Sequence, residues 1–296
     1  MSAWILSIEG TPDAALAAMV LALVAALAHA ILGAMQKGRH DPWLSRGVID
    51  IAASLISIPL AIWAVPLPSW ELVQLFPLMM LIHLAYKWVL AMAYSRGAFT
   101  AVYPIVRGTG PLATVMIAGI VFGEHFAPGQ WAGVALLSGG IFALAAANLA
   151  VERIDPSRLR LALALAVLTG LIVALYTVYD AYLIRLAEDP FTFIVWFFML
   201  EGVLFPLLLW RRWARAPGLP GLFLRGTVGA VIAYVSFGSV FLATRLDKVG
   251  EAAALRETSV IFAALIGWFF LGERIGRVRA ALMIVIALGA VLVEFG

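Results

Sequence analysis

The sequence predicts an all-α membrane protein of ten transmembrane helices, arranged as two inverted five-helix repeats. Three observations predict it. The first is composition: of 296 residues, 64% are hydrophobic and only 12% charged, with a mean hydropathy of +1.03. A soluble domain carries roughly 45–50% apolar and about 25% charged residues, so this chain has too little polar surface to be solvated by water. The second is the count of long apolar runs, and the third is a register in which the two halves of the chain align.

The apolar runs lie near residues 14–34, 48–65, 72–94, 98–123, 131–150, 159–184, 191–210, 222–244, 250–271 and 279–295. Most have the ~17–25 residues that cross a hydrocarbon layer about 30 Å thick. Their unbroken apolar character excludes the alternating strands of a membrane barrel. Residues 1–12 hold Trp4, Ile5 and Leu6 but also Glu9 and Pro12, without the basic stretch and small-residue cleavage site of a secretory signal. They read as an interfacial lead-in. The net charge of +3 and pI near 9.4 come from basic residues in short loops, which read as topology signals and imply no nucleic-acid partner. With no cysteine, disulfides, thiolate metal sites and cysteine nucleophiles are excluded. Neither a metal nor a cofactor is expected.

A shift of 149 residues places Arg96 on Arg245, Arg107 on Arg256, Thr109 on Thr258, Gly123-Glu124 on Gly272-Glu273 and Gly140 on Gly289. A shift of 148 places Asp41-Pro42 on Asp189-Pro190. Glycines and alanines coincide by chance in so biased a chain, whereas charged residues inside apolar runs do not. The chain therefore reads as two halves, 1–150 and 158–296, joined by the charged linker from Glu152 to Arg158. Five helices is an odd number, so the second half enters the membrane inverted.

The end of each half resembles a known module. The stretch YSRGAFTAVYPIVRGTGPLATVMIAGIVFGEHFAPGQWAGVALLSGGIFAL and its partner ending FFLGERIGRVRAALMIVIALGAVLV look like the EamA module of the drug/metabolite transporter superfamily. The Gly-Glu turn between the fourth and fifth helices of each half is its most recognisable element. In the first helix, where family members often carry Trp-Gly, this chain has Ala28-His29-Ala30. The resemblance implies ten helices around a central cavity and secondary active transport of small organic metabolites. Amino-acid-like or organic-anion substrates and export are the family-weighted expectation.

Lysines and arginines divide unevenly between the two faces of the membrane. The loops after odd-numbered helices hold 14, against Arg185, Arg245 and Lys248 on the other face. Positive residues stay inside, so both termini are expected outside the cytoplasm of an inner-membrane protein.

Ionisable groups inside the spans cost about 2.5–3.5 kcal/mol each on insertion scales, which makes them the candidates for a site. His83 in the third run and Glu201 in the seventh lie at mid-depth. Lys87 stacks one turn from His83. Arg107 and His29 fall on the cytoplasmic side, and Arg256 on the outer side, in the company of Asp180, Glu251 and Glu257. Lys87 aligns with Ser236 and is unmatched in the other half. The expected substrate carries a carboxylate or phosphate held by Lys87 and Arg107 with His29 or His83, and Glu201 or His83 couples a proton. For Arg107 and Arg256 a structural ion pair competes evenly with substrate binding. The stretch Tyr103–Pro111 brings two prolines and two glycines to Arg107, and a helix is expected to bend or open there. The spacings Gly119/Gly123 and Gly129/Gly133 read as close helix packing. Tyr176, Tyr179 and Tyr182 stand near Asp180 and read as cavity lining or interface anchors.

Enzyme signatures are absent: there is no HExxH, no phosphate-binding loop and no GxSxG elbow. The rival reading is an intramembrane enzyme or flippase acting on a lipid or lipid-linked phosphate, and it leaves the inverted repeat unexplained. The expected partners are a small solute, the bilayer and coupling protons, and the assembly is a monomer or homodimer.

Overall fold

The computed structural model describes residues 2–36, 41–96, 99–149, 156–209, 211, 219–271 and 276–296. Those residues form helices: α1 (Ser2–Ile8), α2 (Pro12–Gln36), α3 (Pro42–Trp63), α4 (Trp70–Tyr94), α5 (Phe99–Phe122), α6 (Pro128–Leu149), α7 (Pro156–Leu186), α8 (Pro190–Leu208), α9 (Leu219–Leu246), α10 (Val249–Arg256), α11 (Ser259–Leu271) and α12 (Arg277–Phe295). Ten spans among them are long and apolar enough to cross a membrane. Helices α2 to α9 supply one each, α10 and α11 together supply Val249–Phe270, and α12 supplies the last. The protein is an all-α, ten-helix, multi-pass membrane protein, as its composition requires.

Burial is distributed as lipid solvation demands. Ile120, Trp63 and Phe270 are more than 80% exposed, whereas His83, Asp180, Lys87 and Glu257 are buried. In lipid the apolar side chain is the one at home on the surface.

The proline-led starts of α3 and α8 have one local cause. Asp41 accepts from the Trp43 amide at 2.8 Å, and Asp189 accepts from the Phe191 and Thr192 amides at 2.7 and 3.0 Å. A carboxylate cap followed by Pro at the first helical position meets amides that have no partner within the helix. The two aligned Asp-Pro pairs do the same work.

The chain divides into two compact units that do not coincide with its sequence halves. One comprises residues 1–84 and 179–246, the other 85–178 and 247–296. In the first, α9 packs on α2 and α3, and α3 packs on α8. In the second, α6 packs on α12 and on α5, and α5 packs on α10. Three of these contacts, α3 with α8, α5 with α10 and α6 with α12, join helices that are counterparts in the sequence register.

Small residues set the spacing within these pairs. A Cβ on Gly289 would lie 2.5 Å from the Leu137 amide nitrogen and 2.8 Å from the Gly133 carbonyl, both backbone atoms of α6. Gly129 and Gly133 thus serve close packing, as their spacing suggests. The other spacing does something different: Gly123 has φ +65° and ends α5 in the left-handed region, where a side chain is strained. Glu124, the next residue, bonds the Val249 and Gly250 amides at 2.7 and 3.1 Å. The Gly-Glu turn therefore ends one helix and caps α10. Its aligned pair Gly272-Glu273, the linker residues 150–155 and loop cations such as Lys37, Arg39 and Arg274 lie outside the described residues.

Helix α5 corrects one expectation. It runs unbroken through Pro104 and Pro111, and the interruption falls in the aligned span, between Arg256 and Ser259. Each proline removes a single ladder bond. At the interruption, Glu257, Thr258, Val260 and Ile261 all donate to the carbonyl three residues earlier, at 2.9–3.1 Å. Thr258 Oγ1 also donates to the Leu255 carbonyl at 2.7 Å, a hydroxyl bond that competes with the ladder. A tight turn replaces the α-helix here.

Candidate functional site

Each unit buries a polar cluster. In the first, α4 carries His83 between two carboxylates. Its Nε2 is 2.9 Å from Asp180 Oδ2, and its Nδ1 is 3.7 Å from Glu201 Oε1. The Phe197 ring meets the imidazole edge-on at 5.0 Å. Asp180 comes from the end of α7 and Glu201 from mid-α8, so three helices converge on one ring. His83, Glu201, Arg46 and Asp50 line a narrow cavity of ≈ 10 Å³, room for about one water molecule. Arg46 Nε donates to Asp50 Oδ1 at 3.0 Å, and Asp50 is buried. The sequence reading missed this pair by counting Arg46 as a loop charge. The missed signal was a carboxylate inside the second apolar run, four residues after an arginine.

Asp180 thus serves His83. His29 is half-buried on α2, edge-on to Phe237 at 6.5 Å. Tyr179 donates its hydroxyl to the Leu75 carbonyl at 3.0 Å, and Tyr182 is exposed.

In the second unit, Arg107 on α5 is buried and fully engaged. Its Nη1 donates to Glu257 Oε1 at 3.0 Å, its Nη2 to Ser259 Oγ at 3.2 Å and its Nε to the Tyr103 hydroxyl at 3.3 Å. Tyr103, one turn earlier, also offers its ring face to the guanidinium at 5.4 Å. Arg256 Nη2 stands 3.6 Å from the same Glu257 oxygen. Arginines expected on opposite sides of the midplane therefore converge on one carboxylate, because their long side chains reach it from either end. Glu257 is supplied by the interruption in the ninth span, and its aligned position is Gly108.

Lys87 is buried one turn after His83 on α4 and falls in the second unit. In the second unit Tyr86 and Tyr176 pack edge-on at 5.1 Å. Glu251, expected near Arg256, instead bonds Lys248 Nζ at 2.7 Å and Gln130 Nε2 at 2.6 Å, and it is buried. Gln130 also donates to the Val293 carbonyl at 2.9 Å, tying α10 to α12 through α6. Among the described residues no group of three or more His, Cys, Asp and Glu could hold a metal ion.

Ten apolar spans that bury paired charges define a polytopic membrane protein. Residues 160–295 match the family model described as the EamA-like transporter family. The chain is also similar to a solved crystal structure, with a TM-score of 0.75 and 16% identity, over 94% of this chain and 98% of that one. At that identity the likeness establishes the fold alone. No curated protein matches the sequence. The resemblance to the drug/metabolite transporter superfamily read from the residues is borne out over residues 160–295, where the EamA-like family model matches, and the likeness in fold extends over nearly the whole chain.

Proposed function

We propose that this membrane transporter is a secondary carrier that moves a small amino-acid-like or organic-anion metabolite across the inner membrane by alternating access. In this reading residues 1–150 and 158–296 are inverted repeats, both termini lie outside the cytoplasm and export is the working direction. The observation that carries it is the meeting of Arg107 and Arg256 on Glu257. Charges in a bilayer are retained when they serve a solute path, and these arginines are counterparts in the 149-residue register. The α3–α8, α5–α10 and α6–α12 contacts and the twin Asp-Pro caps support the repeat.

Lys87 and Arg256 form the solute-facing set in one unit, where Arg107, bonded to Tyr103, holds Glu257. His83, Asp180, Glu201 and His29 form the set in the other. Glu201 and His83 are the proton-coupling groups, since a histidine beside carboxylates passes a proton with little movement of heavy atoms.

The test is transport in vesicles reconstituted with the full chain and screened against amino acids, organic anions and phosphorylated metabolites, with and without a pH gradient. Movement of one class, stimulated by the gradient, is the expected result. No movement together with chemical alteration of a lipid would establish the enzyme reading instead. A periplasm-active reporter fused after Gly296 is expected to be active, and a silent one would reverse the orientation.

A further inference from the structure

Donors and acceptors around Glu257 do not balance. Arg107 has all three of its guanidinium nitrogens in hydrogen bonds. Arg256 is 4% exposed, its Nε has no hydrogen-bond partner, and its Nη2 is 3.6 Å from Glu257 Oε1, too far to bond. Glu257 is 1% exposed and its Oε2 likewise has no partner. Nε and Nη2 form one edge of the guanidinium, the edge that grips a carboxylate or phosphate through two parallel bonds. Along that edge Nε has no partner and Nη2 has only the loose ion pair with Glu257, on a side chain almost wholly buried in a membrane-spanning segment.

The charges do not balance either. Two arginines face one carboxylate, and the neighbouring acid, Glu251, is taken by Lys248 and Gln130. A single negative charge placed against Arg256 neutralises the cluster. It also gives the open edge the two acceptors that buried polar groups require. The interruption adds to this, because α11 begins at Ser259 and the first turn of a helix carries partial positive charge.

We infer that the open edge of Arg256 is the binding site for the oxyanion of the transported solute, a carboxylate or a phosphate group. Glu257 is the internal carboxylate that the solute displaces from Arg256. The inference deepens the transport reading above and rests on it. Arg107, which sequence alone favours as the anchor, instead holds Glu257 in place while the solute occupies Arg256. A carboxylate and a phosphate satisfy the same edge, so the probes must tell them apart.

The test is thermal unfolding of the detergent-solubilised full chain titrated with sodium succinate, sodium phosphate or sodium chloride at matched ionic strength. Saturable stabilisation by succinate or by phosphate, above chloride, is expected, and the stronger of the two names the group. Arg256→Gln is expected to abolish saturation. Arg256→Lys, which keeps the charge and loses the fork, is expected to weaken binding about tenfold. Glu257→Gln removes the competing carboxylate and is expected to tighten binding several-fold. If Arg256→Gln does not fold, the opposite shifts of Arg256→Lys and Glu257→Gln carry the test. Stabilisation that is absent in the wild-type chain, or unchanged in both of those variants, overturns the site. Solute movement in vesicles that persists with unchanged KM in Arg256→Lys also overturns the site while leaving the transporter reading intact. Anion binding that depends on Arg256 in a chain that moves no solute upholds the site and removes the transport reading.

Discussion

His83 Nε2 lies 2.9 Å from the Asp180 carboxylate across 97 positions of sequence, with both side chains buried. A contact of that range inside a bilayer fixes α4 against α7 within the first unit, and it leaves the second ring nitrogen facing Glu201 at 3.7 Å. One imidazole therefore has a fixed carboxylate on one side and a looser one on the other.

From that asymmetry, His83→Ala removes the imidazole bonded to the buried Asp180 carboxylate and is expected to cost about 1–3 kcal/mol of stability, the penalty for losing a buried hydrogen bond. Glu201→Gln keeps an acceptor beside the ring while removing the charge of the looser contact, and is expected to cost less than His83→Ala. If Glu201 is the coupling group, the same variant flattens the pH dependence of transport. Thermal unfolding and uptake at several pH values check the two halves of the prediction. A pH profile that keeps its shape in Glu201→Gln removes that residue from coupling.

Glu124 ends its run of sequence as a helix cap. Its bonds to Val249 and Gly250 satisfy first-turn amides of α10 that have no carbonyl within the helix. Glu124→Ala is expected to destabilise the protein by about 0.5–2 kcal/mol, and Glu124→Gln by less, since an amide oxygen still accepts. The ordering wild type, Gln, Ala in thermal unfolding is the measurement, and a Gln variant weaker than the Ala variant contradicts the capping role.

Gly289 admits no side chain at its present distance from α6, since the obstructing atoms belong to the backbone of Leu137 and Gly133. Gly289→Ala must push α6 and α12 apart and is expected to cost about 1–3 kcal/mol, in the range of overpacked cores. Gly221→Ala, where an added Cβ meets nothing within 4 Å, is the control and is expected to be nearly silent. Unfolding in detergent compares the pair directly.

Span number and class were legible because they follow from apolar length, which no tertiary contact can override in lipid. The Gly-Glu turn was legible as a landmark, while its capping role needed the α10 amides 125 positions away. The broken ninth span was not legible, because no proline or glycine marks Glu257-Thr258; the hydroxyl that competes for the Leu255 carbonyl is a common side chain in membrane helices. Conversely, Pro104 and Pro111 advertised a break that α5 does not make. Of the site residues, buried charges were found by their cost alone. Which charge meets which was not legible: Asp180 sits beside His83, and Glu257 unites two arginines that sequence placed at different depths.

The sharing of Glu257 sets the last prediction. Arg107→Met removes the cation that bonds Glu257 at 3.0 Å and leaves Arg256 as the nearest positive group, at 3.6 Å. Breaking a buried pair by deleting one member typically costs about 3–5 kcal/mol, because the survivor stays buried and charged. Arg256 can swing its open edge onto Glu257, so the loss is expected at or below the low end of that range. Glu257→Gln keeps an acceptor for Arg107 and is expected to cost less than Arg107→Met. The double variant holds neither the stranded carboxylate nor its partner, and its loss is expected to fall short of the sum of the singles by about 0.5–3 kcal/mol. Repeating the cycle in an Arg256→Lys background removes the fork that rescues Glu257, so the cost of Arg107→Met is expected to rise there. Additive losses, within about 0.5 kcal/mol, would mean that the Arg107–Glu257 contact contributes no net stability; a cost of Arg107→Met indifferent to Arg256 would mean that the two arginines do not share the carboxylate in solution.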